Sequence, residues 1–253
     1  MLTTEEIRAR LLQLEKTHDI KILYACESGS RAWGFASKDS DYDIRFLYVR
    51  RPQDYISVYP VRDVIEEPVD AVWDINGWDL SKALKLMLKA NSNLLEWLRS
   101  PIQYVPNASF CGELLALANN YISLQKLFFS YQGMAKGNYR DYLQGESVWL
   151  KKYLYVIRPL LCSQWINRFG QLPPVCISEL VSFADEFFPY MAAPLKALLI
   201  QKQNGLEKEY GRRMPDLDRF IDESIQANYI GKEEEIPASE AEINAIFRRY
   251  VFS

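Results

Sequence analysis

Histidine is nearly absent from this sequence, closely spaced cysteine pairs are absent altogether, and no apolar run approaches the length of a membrane helix. Each shortage excludes something. The longest unbroken apolar runs fall far short of the roughly 20 residues that a bilayer span needs, and the chain opens with charge where an export signal would be apolar. A membrane or export role is therefore set aside, and the cytoplasm is the expected compartment. The cysteines, at positions 26, 111, 162 and 176, lack C-x-x-C spacing. That suggests neither a disulfide framework nor a zinc site, and points to reduced, mostly buried thiols. The one histidine, His18, lies in a charged stretch and is assigned no role. Excess positive charge is missing too, since 30 Lys and Arg against 33 Asp and Glu leave a formal net charge of −3. A globally basic nucleic-acid binder is excluded, so any polyanionic partner must meet a local patch.

What is present is ordinary globular composition, 49% hydrophobic and 25% charged, which argues against long disorder. At 253 residues the chain can form two modest domains, each with its own core. Thr3 and Glu6 at capping-box spacing, then Ile7, Leu11 and Leu14 at helical spacing, predict a short amphipathic helix ended by Asp19. Ile22, Leu23, Tyr24, Ala25 and Cys26 predict a buried strand over Lys21 to Ser28, bounded by Gly29 and followed by a tight turn and a short helix. A second strand is predicted from Asp43 to Val49, stopped by Pro52. A third is predicted from Ala71 to Ile75, ended by an Asn76-Gly77 turn and leading into a helix capped by Asp79. Beyond Pro106, helix-period patterns near 111–130, 146–168, 189–203 and 239–251 predict a helical region, with a kink or break at Pro159. The segment 204–236, with its Lys-Glu-Glu-Glu run at 232–235, reads as a charged, irregular surface loop.

The chemistry concentrates between Gly29 and Asp43. Strand residues two apart point to one face, so Asp41 and Asp43 aim both carboxylates the same way from α-carbons about 6.6 Å apart. Such a pair can converge on one or two cations, and hard oxygen ligands suit Mg²⁺ or Mn²⁺ held jointly with a substrate's phosphates. Upstream, Gly29-Ser30 follows a predicted strand and opens a predicted helix, where backbone N–H groups favour an anion. Gly29 lets phosphate approach the backbone, the Ser30 hydroxyl can donate to a phosphate oxygen, and Arg31 adds charge if its side chain turns inward. Each feature alone is common. Together they set an anion site beside a cation site, as in-line attack on an α-phosphorus requires.

The run Gly29-Ser30-Arg31-Ala32-Trp33-Gly34, followed by Asp39-Ser40-Asp41-Tyr42-Asp43, resembles the GS…SDxD signature of the DNA polymerase beta-like superfamily. The similarity covers roughly residues 20 to 165, continuing through Asn76 to Leu84, Asn91 to Leu98, Met134 to Tyr139 and Leu150 to Leu161. These segments look like the nucleotidyltransferases that include the RNA-ligase-associated group, sometimes encoded near RNA repair enzymes. The resemblance implies an α+β fold, with a small mixed sheet flanked by helices as a nucleotidyltransferase domain over 1–105 and an all-helical substrate-binding domain over 106–253. It further implies Mg²⁺ and an NTP, with ATP the first choice, and transfer of a nucleoside monophosphate to a hydroxyl on RNA, protein or a small molecule. Gly29, Ser30, Arg31 and Ser40 would then bind the nucleotide.

The superfamily uses a third acid on a neighbouring strand as metal ligand and base. Asp74 is the choice here, and Asp70, on the same face by strand parity, is its rival. Lys82 on the following helix is a further phosphate candidate. Lys151, Tyr155 and Arg158 fall at i, i+4 and i+7 of one helix and so share a face that could close over the nucleotide or hold RNA; Lys152 ranks below them. Two other readings compete with the enzyme. One is a non-catalytic nucleotide or RNA sensor on the same scaffold, and the other is a helical protein-interaction module.

Overall fold

A computed structural model describes residues 2–70, 72–205, 209–232 and 237–253. The chain divides into two compact units, Met1–Ala32 with Asp41–Ile122 and Glu235–Ser253, and Trp33–Ser40 with Ser123–Glu234.

The first unit begins with helix α1 (Thr4–His18), where the Thr3 side chain accepts from the Glu6 N–H and the Glu6 carboxylate accepts from the Thr3 N–H. Strand β1 (Ile20–Glu27), helix α2 (Gly29–Trp33) and strand β2 (Tyr42–Arg50) follow. Pro52 ends β2 by opening a 3₁₀ turn, Pro52–Ile56. Strands β3 (Val64–Glu66) and β4 (Trp73–Asp79) lead into α3 (Leu80–Leu88), α4 (Ser92–Trp97), β5 (Gln103–Val105) and α5 (Ala108–Tyr121).

The five strands form a mixed sheet in the order β3-β4-β2-β1-β5. Only β2 and β4 run parallel; the other pairs are antiparallel. One face buries Ile22, Ala25, Tyr42, Ile44, Phe46, Tyr48, Ile65 and Ile75 together with Ile7, Leu11 and Leu14 of α1. Side chains alternate across the sheet, so Asp43, Arg45 and Asp74 stand on the opposite face, where Trp78 packs on Trp97 of α4 with ring centroids 3.9 Å apart.

The third strand differs from expectation. Ala71 lies outside the described residues, and the strand does not stop at Asn76-Gly77 but runs through it to Asp79. The reason is packing: a Cβ on residue 77 would lie 2.1 Å from the Phe46 ring, so this glycine admits a neighbouring aromatic instead of making a turn. Asp79 does cap α3, its Oδ1 accepting from Ser81 N–H at 2.8 Å.

The second unit holds α6 (Leu124–Tyr142), β6 (Ser147–Trp149), α7 (Lys151–Phe169), α8 (Ile177–Phe187), α9 (Pro189–Gln203), β7 (Tyr210–Arg212) and α10 (Pro215–Ile225). The C-terminal α11 (Glu240–Val251) packs on α3 and β2 in the first unit. The pattern near 111–130 resolves into two helices because Ser123 caps a new one, its hydroxyl accepting from Lys126 N–H. Helix α7 continues through Pro159 as one element, buried on nearly every side, so tertiary packing outweighs the lost backbone hydrogen bond. The stretch 204–236 is not irregular throughout: β7 pairs with β6, and α10 buries Leu217, Phe220, Ile221 and Ser224. Residues 206–208 and 233–236 lie outside the described residues, and with them most of the acidic run at 232–235. All four cysteines are free thiols, three of them buried.

Candidate active site

The parallel register pairs Asp43 on β2 directly with Asp74 on β4. Both project from the same sheet face, near the N-terminal ends of their strands. Asp41 lies just before β2, two residues from Asp43 and exposed to solvent. The sequence reading placed Asp41 and Asp43 together; the register adds Asp74 beside them. Asp70 does other work. Its Oδ1 accepts from Val72 N–H at 2.7 Å and Trp73 N–H at 2.8 Å, which holds the turn into β4 and keeps its carboxyl below the usual range.

Arg45 links the two strand acids. Its Nη2 donates to Asp43 Oδ1 at 2.9 Å and to Asp74 Oδ2 at 2.7 Å, while Nη1 donates to Asp74 Oδ1 at 3.1 Å and to the Asp74 carbonyl at 2.8 Å. Sequence reasoning missed this residue. Its signal was the same parity that joined Asp41 to Asp43, carried two residues further along β2.

A second omission is Glu27, the last residue of β1 and fully buried. Its Oε1 accepts from the Asp43 backbone N–H at 2.7 Å, and its Oε2 accepts from the Tyr104 hydroxyl of β5. Glu27 thereby fixes the backbone that carries Asp43. Burial pushes its carboxyl above the usual range, opposed by those two hydrogen bonds. Burial is also the main cause that raises Asp43, from 3.8 to about 7; Arg45 opposes the shift, and Asp41, Asp74 and Glu27 add to it.

Gly29 meets this group from the end of β1. Its φ is +58°, and a Cβ there would fall 2.0 Å from Asp43 Oδ2. The glycine is thus needed twice, for its backbone conformation and for the space its missing side chain leaves to the carboxylate. Ser30 is buried in α2, a helix of five residues. Arg31 turns back on β2: its Nε donates to the Asp41 carbonyl at 2.9 Å, and its guanidinium lies 3.8 Å from the Tyr42 ring centroid. Lys82 makes an ion pair with Asp63 at 3.3 Å.

Four of the sequence candidates belong to the second unit. Ser40 is buried in a knot in which its hydroxyl accepts from Ser37 N–H at 3.0 Å and from Lys202 Nζ at 3.2 Å. Lys151, Tyr155 and Arg158 all lie on α7, but they do not form one open face. Lys151 Nζ sits 4.5 Å from the Trp149 ring centroid, and Tyr155 packs edge-on against Trp33 and Phe35. Arg158 is 1% exposed, over the Trp33 ring, and donates to the Val175 carbonyl at 2.9 Å.

Among the described residues no three carboxylates close around a common point. Asp43 and Asp74 instead converge on a cationic guanidinium, so the site already gathers positive charge between two hard-oxygen donors. That donor set fits Mg²⁺, which binds through one or two carboxylates and completes its shell with water and phosphate oxygens.

A mixed sheet with aligned aspartates on adjacent parallel strands, entered through a glycine-serine bend, is the frame of a polymerase beta-like protein. The chain belongs to the RlaP family, the RNA repair pathway DNA polymerase beta family, which it matches over residues 3–249. It is also 42% identical over 226 residues to the uncharacterized protein YcgL of Bacillus subtilis (strain 168), covering 88% of this chain and 85% of that protein. Among the described residues no helix is long and apolar enough to cross a membrane.

Proposed function

We propose that the chain is a Mg²⁺-dependent nucleotidyltransferase of RNA repair that moves a nucleoside monophosphate from an NTP, ATP by first choice, to a hydroxyl acceptor. The observation that carries this reading is the direct pairing of Asp43 with Asp74, with Asp41 beside them and Gly29 against Asp43. In this reading Asp41, Asp43 and Asp74 hold the cation, and the Gly29-Ser30 bend receives the triphosphate. A divalent cation bound there would lower the pKa of the attacking hydroxyl and offset charge on the phosphates. The acceptor oxygen bonds to the α-phosphorus, the bond from that phosphorus to the bridging oxygen breaks, and pyrophosphate leaves. Asp74 takes the acceptor's proton, while Glu27 keeps the backbone at Asp43 in place. Arg45 neutralises the two strand acids until the cation arrives.

The test is incubation of purified protein with labelled NTPs, Mg²⁺ or Mn²⁺, and mixed RNA and protein acceptors. Transfer that depends on Asp43 supports the enzyme. Absence of transfer, with Asp43→Ala indistinguishable from wild type, rejects it. One observation favours the alternative of a non-catalytic nucleotide or RNA sensor: the Arg45 guanidinium already satisfies both strand acids. Mg-ATP binding without turnover, measured by calorimetry, would select that reading.

A further inference from the structure

The β6–β7 ribbon of the second unit has two unlike faces. Its register pairs Ser147 with Arg212, Val148 with Gly211 and Trp149 with Tyr210. Val148 is 1% exposed and faces inward, so by strand parity Ser147, Trp149, Tyr210 and Arg212 share the outer face. On that face the Trp149 and Tyr210 rings lie nearly parallel, 13° apart in plane with centroids separated by 6.3 Å. Tyr142, at the end of α6, meets Trp149 edge-on at 6.3 Å.

Two of the three rings are open to solvent, Tyr210 at 66% and Tyr142 at 40%, and Trp149 between them is half-buried. An aromatic pair that served only to seal a core would be covered. Cations surround them. Lys152 Nζ lies 3.9 Å from the Tyr142 ring centroid, 5.0 Å from Tyr155 and 5.1 Å from Trp149. Lys151 Nζ lies 4.5 Å from Trp149, and Arg212 is exposed on the ribbon. Burial and the neighbouring Lys151 charge both disfavour the Lys152 ammonium, and an added anion would relieve that repulsion.

Exposed flat rings with lysine ammonium groups held over Tyr142 and Trp149, and with Tyr210 left open, match the two repeating elements of single-stranded nucleic acid, a planar base and a charged phosphodiester. A helical nucleic acid hides its base faces, so a stacking platform selects an unpaired strand. We propose that the Tyr142–Trp149–Tyr210 platform, with Lys151, Lys152 and Arg212, is a binding site for single-stranded RNA, bases stacking on the rings and phosphates meeting the cations. This deepens the proposed function, on which it rests for the choice of RNA as the polymer.

The experiment uses the full-length protein and a short fluorescent oligouridine, read by anisotropy across a salt series. Tyr210→Ala, at an exposed ring, weakens binding about tenfold. Lys152→Gln weakens it and lowers the salt slope by about 0.7. An oligonucleotide carrying 5-iodouracil crosslinks on illumination to peptides holding Trp149 or Tyr210. Wild-type affinity in both patch variants, crosslinks confined to other segments, equal affinity for duplex RNA, or no RNA binding overturns the site. The two proposals fail separately: patch variants with unaltered binding but active transfer reject the platform alone, whereas crosslinking at the platform without any transfer rejects the enzyme alone.

Discussion

The carboxylate of Asp43 occupies the space that a side chain on residue 29 would need, with Oδ2 only 2.0 Å from the position of an added Cβ. Gly29→Ala therefore displaces the acid and strains a backbone at φ +58°. A misplacement of about 1 Å in a reacting group can cost about 100-fold in rate. The expected outcome is a folded protein with about 1% of wild-type nucleotide transfer and weakened Mn²⁺ binding, measured by kinetics and by electron paramagnetic resonance.

Asp74 and Asp70 separate cleanly by substitution. Asp74 faces Asp43 across the ladder, whereas the Asp70 side chain is occupied by Val72 and Trp73 N–H groups. Asp74→Asn should reduce transfer by roughly 1000-fold, equivalent to about 4 kcal/mol of transition-state stabilisation. Asp70→Asn should retain most activity. Equal losses in the two variants would reject the assignment of the third acid.

Arg45 has an effect that appears before any cofactor binds. Arg45→Met leaves Asp43 and Asp74 facing each other without their shared counter-charge. Charge-assisted hydrogen bonds of this kind are worth about 2 kcal/mol, so the metal-free variant should unfold at lower temperature than wild type. Added Mn²⁺ should raise the variant's melting temperature by more than it raises that of the wild type. A smaller rise would mean that Arg45 assists the cation instead of standing in for it.

Burial raises Asp43 from 3.8 to about 7, which fixes the sign of a pH effect. Between those values the folded, metal-free protein retains a proton that the unfolded chain has released, so this residue's contribution to stability declines as pH rises across that window. A cation that binds the ionised carboxylate acts oppositely, and its stabilising effect grows with pH. Melting curves from about pH 5 to about pH 8, with chelator or with Mn²⁺, should diverge as pH increases. Asp43→Asn should remove most of the divergence.

Much of the sheet unit was legible because its signals are local. The Thr3 and Glu6 cap, the apolar stretch of β1 and the parity of Asp41 and Asp43 each depend on residues a few positions apart. Arg45 was equally legible and was overlooked. Tyr104 was not, since it reaches Glu27 only through pairing of β1 with the distant β5. Asn76-Gly77 carries a turn signal that Phe46 packing overrides, a contact invisible along the chain. In 204–236 the charge of α10 obscured Leu217, Phe220, Ile221 and Ser224, which recur at helical spacing and are all buried. Lys151, Tyr155 and Arg158 share a helix as expected, but the local environments of three side chains cannot be inferred from spacing alone.

Because β2 and β4 run the same way, the chain must travel the full length of the sheet between them. The crossover after Arg50 consequently departs from the edge remote from the aspartates, and its exposed Ile56, Val58 and Tyr59 lie in that outlying excursion. Lengthened loops, affinity handles or fluorescent fusions spliced there should leave the carboxylates undisturbed.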